Sequence, residues 1–134
     1  MNIAYALVQL IHNFGAAAVV GVPAAAWLRA HEHREVPAKY AWLTIVGWAM
    51  QVTSGIGFGL TTYLSKGELP EIVGVALVAL YIKVGCALGG LLLAAYYLKA
   101  SIVWREHAHG WVWPSLAAAG ATALSGAAFL RWFS

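Results

Sequence analysis

The chain has 134 residues, of which 62% are hydrophobic and only 10% charged, with a formal net charge of +3. Soluble domains run at roughly 45–50% apolar and about 25% charged, and a body this small cannot enclose so much apolar surface in water. An ordinary soluble domain is excluded, and with no basic run interleaved with aromatics, nucleic-acid binding has no footing either.

Four apolar stretches follow one another, at residues 1–28, 40–64, 71–98 and 111–130. Each has about the 20 residues that a helix needs to cross ~30 Å of hydrocarbon. Backbone polar groups in lipid must be satisfied within their own segment, so helix is nearly forced, and none of the stretches alternates as a barrel strand would. The expected architecture is all-α: one transmembrane domain, residues 1–134, forming a four-helix bundle. The first stretch also contains small residues at a plausible signal-cleavage spacing, "VPAAAW". No Lys or Arg precedes Arg29, however, and the run is longer than a signal core, so a retained helix is expected.

The connections are short: "RAHEHREVPAK", "SKGELP" and "KASIVWREHAHG". The first and third share a side and carry Arg29, Arg34, Lys39, Lys99 and Arg105; the other side carries Lys66 and Arg131. Positive-inside bias then sets both termini on the outer side, in a membrane expected to be the bacterial inner (cytoplasmic) one. Trp42, Trp104, Trp111, Trp113 and Trp132 fall near span ends, as an interfacial belt would. The single cysteine, Cys86, lies in an apolar run and reads as a small buried hydrophobe.

Three polar residues stand inside the spans: His12, Gln51 and Lys83. Counting from the span ends puts His12 and Lys83 each roughly 18 Å below the outer surface, and Gln51 comes to the same level on a helix running the other way. Polar groups at that depth are costly and raise a functional question. A lone intramembrane His is often just an interhelical hydrogen-bonding group. A lysine at the midplane, though, can hardly reach the interface with its stem. All five carboxylates, Glu32, Glu35, Glu68, Glu71 and Glu106, lie in or beside the loops. With no buried counter-ion, Lys83 is expected as a neutral or ligand-bound amine. Amine and imidazole are both Lewis bases, and two of them at one depth on neighbouring helices could take the axial positions of a haem iron held between helices.

Gly15 follows His12 by three residues on nearly the same face. Gly85 and Gly89 make a GxxxG spacing, and "SGIGFG" adds Gly55, Gly57 and Gly59. Such residues allow close helix approach and also leave room for a flat macrocycle. His31, His33, His107 and His109 could together bind zinc or copper, or simply be solvated loop histidines. No phosphate-binding loop, nucleophile elbow or pair of buried carboxylates supports soluble-enzyme chemistry.

"LIHNFGAAAVVGVPAAAWL" resembles the first helix of small four-helix membrane proteins of the copper-resistance-D-like group, with Ile11-His12, Gly15 and Gly21 in place and Val19 where a tryptophan is common. "YIKVGCALGGLLLAAYYL" and "GWAMQVTSGIGFGLTTYL" resemble the third and second helices of the related HemJ-type protoporphyrinogen oxidases. The resemblance covers about the first 98 residues. It implies a haem b site in which His12 and Lys83 are axial ligands, with Gln51 lining the pocket. The fourth helix lacks the acidic, proline-containing motif of the HemJ type, so an electron-transfer role is expected before oxidation of protoporphyrinogen. That role implies partners among membrane or redox subunits, and a quinone. A cofactor-free structural subunit is the remaining alternative; a transporter would want a membrane carboxylate for coupling, and none is present.

Overall fold

A computed structural model describes residues 3–32, 34–68, 71–100 and 102–133, with side chains for all of these but 102–109 and 133. The described residues form four helices: α1 (Ile3–His31), α2 (Ala38–Lys66), α3 (Val75–Lys99) and α4 (Ile102–Phe133). All four are long and apolar enough to cross a membrane, α4 over Gly110–Trp132. The protein is an integral membrane four-helix bundle.

Two boundaries differ from the hydropathy reading. The third span begins as a helix at Val75, not at 71, because residues 71–73 are irregular and Gly74 turns the chain at φ 61°. Gly67, at φ 74°, closes α2 at the other side of that connection, donating its N–H to Tyr63 O at 2.8 Å. Only glycine takes these left-handed positions without strain. The fourth helix begins at Ile102, so the third connection is two residues long instead of twelve. Hydropathy marks the part of a helix that lies in lipid; it does not mark where hydrogen bonding stops, and no proline or glycine interrupts 102–109.

Each helix packs against two others: α1 against α2 and α4, α3 against α2 and α4. The helices therefore form a ring, and α1 and α3 face each other across its diagonal rather than as neighbours. Small residues make the contacts. A Cβ built on Gly15 would lie 2.9 Å from Met50 Cβ, and one on Gly47 would lie 2.9 Å from Ala18 Cβ. At Gly90 it would run into the Trp48 indole, and at Gly120 into the carbonyl of Val19. The large apolar side chains point outward instead: Leu92, Ile56 and Phe14 are 71%, 67% and 63% exposed. This inverted distribution suits a body whose surroundings are hydrocarbon, where close van der Waals packing replaces the hydrophobic effect as the force between helices.

The end of the bundle with the first and third connections has the denser core, where Ala26, Val36, Ala41, Ala94, Tyr97, Val112, Trp113 and Leu116 are buried together. Trp113 is fully buried, its ring 4.9 Å from that of Tyr97, so it is a core residue and not part of an interfacial belt. It lies two residues from the exposed Trp111, about 200° around the helix. Trp42, Trp111 and Trp132 are exposed, as expected of a belt; the side chain of Trp104 lies outside the described residues. Arg29 ties the first connection down, donating from Nε and Nη2 to Glu35 O at 3.2 Å each.

The glycines of the GxxxG pair make no helix contact: nothing lies within 4 Å of a Cβ on Gly85 or Gly89. Replacing both by alanine is therefore expected to leave stability unchanged or raise it by about 1 kcal/mol, since alanine is the better helix former. Unfolding in mixed detergent micelles would measure this, and a clear loss would show that this face has a partner.

Candidate functional site

The three polar residues flagged in the spans meet in one layer of the bundle. His12 projects from α1 towards the diagonal, and its Nε2 lies 3.3 Å from Lys83 Nζ on α3. Its Nδ1 lies 2.7 Å from Ser54 Oγ on α2. The Ser54 hydroxyl has one proton and places it on its own helix, at Met50 O, 2.5 Å away. The imidazole must then donate from Nδ1 to Ser54, which leaves the Nε2 lone pair directed at the amine; this tautomer follows from the hydrogen-bond network. Phe58 closes the layer on the side of the chain termini, its ring 5.3 Å from His12 and edge-on to it.

Gln51 is buried and donates from Nε2 to the backbone carbonyl of His12 at 2.6 Å. Its amide nitrogen is thus committed to clasping α2 onto α1 at the level of the imidazole. Gly15 serves the same clasp: a Cβ there would stand 2.9 Å from Gln51 Nε2. In this structure its role is close approach of two helices, not clearance for a ring.

One turn from this layer, towards the first connection, Trp48 is fully buried among Val19, Ala87 and Ala123 with its indole N–H unpartnered. A buried donor without an acceptor is uncommon, and it lies beside Gly90, which is seven residues, or about two turns, from Lys83 along nearly the same face of α3. Cys86 packs against the same cluster and is half-buried.

The donor chemistry fits a haem iron. One imidazole nitrogen presents its lone pair to the Lys83 amine while the other is oriented by a hydroxyl, much as an outer-shell partner orients a metal-bound histidine. The two nitrogens are in direct contact at 3.3 Å, so a metal held by both would require the lysine stem, with its four rotatable bonds, to draw back.

Ser54, Phe58 and Trp48 escaped the sequence reading. Ser54 was legible in principle, standing three residues from Gln51 and hence on its face. Of the loop histidines, His33 and the side chains of His107 and His109 lie outside the described residues. Among the described residues, no three His, Cys, Asp or Glu side chains gather into a metal-sized group.

Comparison with family models, curated proteins and solved structures finds no match to this chain. Its functional reading therefore rests on the geometry of the His12–Lys83 layer.

Proposed function

We propose that this protein binds haem b between α1 and α3, with His12 Nε2 and Lys83 Nζ as the axial ligands, and that it transfers electrons as a membrane subunit of a redox system. The observation that carries the reading is the convergence of two nitrogen donors, 3.3 Å apart, in a bundle whose carboxylates all lie outside the candidate membrane spans. Haem bound there would supply a one-electron centre whose potential depends on ligand identity and the dryness of its surroundings.

The chain's own residues account for the rest. Ser54 orients the imidazole and fixes its tautomer. Gln51 and Gly15 hold α1 against α2 so that His12 cannot slide along the bundle. Phe58 covers the imidazole on the terminal side, and the apolar helices exclude water from the layer. With Arg29, Arg34, Lys39, Lys99 and Arg105 at one end against Lys66 and Arg131 at the other, the charge bias supports both termini outside; a bacterial inner membrane is part of the same proposal.

A second reading, a cofactor-free structural subunit, is favoured by the same contact seen differently: imidazole and amine already satisfy each other without a ligand. An absorption spectrum separates the two. Protein expressed with haem supplied and purified in mild detergent is expected to show a Soret band at one haem per chain. Colourless, well-folded protein would discard the haem reading in favour of the second.

A further inference from the structure

On the lipid-facing side of the α1–α2 pair, at the end holding the chain termini, a groove of about 640 Å³ opens between the helices. Its volume falls within the range usual for small-molecule sites, roughly 300–1,000 Å³. It extends away from the His12 layer: Gln9 and Tyr5 precede His12 by three and seven residues, about 5 and 10 Å towards the chain termini. What marks it is polarity where lipid should be met. Gln9 and Asn13 line it from α1, and Thr61, Thr62 and Lys66 from α2. Carboxamides facing hydrocarbon are costly unless something covers them.

The groups are arranged in kind. Gln9 donates to Asn13 Oδ1 at 2.8 Å, which holds the two amides together and turns the Asn13 amide nitrogen to other acceptors. Thr61 and Thr62 both give their hydroxyl protons to Phe58 O, at 3.0 and 2.8 Å, so their oxygens face the groove as acceptors. Lys66 stands at the mouth, level with the start of α1. Tyr5, also in the lining, is four residues from Gln9, about 6 Å along the axis, close to the span of a six-membered ring with oxygen at both ends. The Tyr5 ring lies 5.2 Å from that of Phe58, which in turn touches His12, so two ring contacts connect the groove to the imidazole.

We infer that this groove binds the head of a membrane quinone, with amide donors meeting a carbonyl and threonine oxygens accepting from the hydroxyl of the reduced form, the isoprenoid tail leaving into lipid. A phospholipid headgroup would engage Lys66 but leave the deeper carboxamides uncovered. The choice of a quinone among carbonyl-bearing lipids rests on the proposed electron-transfer role; the groove itself does not.

The test uses the full chain in phosphatidylcholine nanodiscs without added haem, and an azido-substituted short-tailed benzoquinone as photolabel. Label is expected on the peptides carrying Tyr5 to Asn13 and Thr61 to Lys66, competed by the unlabelled quinone. Joint replacement Gln9→Leu and Asn13→Leu, which suits a lipid-facing surface, is expected to cut labelling roughly tenfold, as loss of one or two hydrogen bonds would. Labelling is read on haem-free protein, so a protein that binds quinone but shows no Soret band would fail the haem reading and keep this one. Labelling spread evenly over the lipid-facing helices would overturn the inference. So would competition by phosphatidylglycerol in place of quinone, or a double variant that labels normally.

Discussion

Haem is expected to be absent from purified His12→Ala protein and retained, at a raised potential, by Lys83→Met. The two variants differ because the two nitrogens are held differently. His12 is fixed from three sides: Ser54 at Nδ1, the Phe58 ring against its edge, and Gln51 on its backbone carbonyl. Lys83 reaches the same point on a flexible stem, and a methionine of similar length can bring a thioether there. Histidine–methionine ligation raises haem potential relative to ligation by nitrogen alone. Ser54→Ala should fall between them, keeping the ligand but weakening haem retention by roughly 10–100-fold, as loss of an orienting hydrogen bond to a metal-bound histidine does. Haem content by pyridine haemochrome and a redox titration measure all three. Full haem occupancy in His12→Ala would remove His12 from the site.

The largest effect on stability is expected from Gly120→Val. At most of the glycines a new Cβ meets nothing within 4 Å, and at Gly15, Gly47, Gly57 and Gly90 its nearest neighbour is a side chain. At Gly120 it meets the backbone carbonyl of Val19, so α1 and α4 must move apart as rigid bodies. That separation would propagate to Trp48, Ala87 and Ala123, which pack with Val19. Overpacking of this kind costs about 1–3 kcal/mol, and more where backbone cannot yield. The unfolding midpoint in mixed micelles should fall clearly, whereas the doubly substituted Gly85 and Gly89 face should not move it. Equal behaviour of the two would mean that the α1–α4 crossing is looser than described.

The contrast among glycines shows where the sequence stops being informative. "GCALGG" displays the GxxxG spacing associated with helix association, yet Gly85 and Gly89 face open surroundings and their neighbour Gly90 carries the contact. Spacing along one helix says which residues share a face. It does not say whether that face meets a helix or lipid, since in hydrocarbon both are apolar. Trp113 fails for the same reason: position near a span end suggested the interface, and only the rotation of α4 turned it onto Tyr97.

What the sequence determined by itself was the solvent and the scale. The 62% hydrophobic composition required lipid, and four runs of about 20 residues required four helices, because backbone in hydrocarbon has no other way to satisfy itself. It also put His12, Gln51 and Lys83 at one depth, because rise per residue is fixed. Only the tertiary structure decided their angular relations: α1 and α3 on a diagonal, imidazole and amine converging at its centre, Gln51 committed to the α1 backbone, and Ser54 choosing the tautomer. Depth follows from counting, but rotation about each helix axis is set by which small residues let two backbones approach.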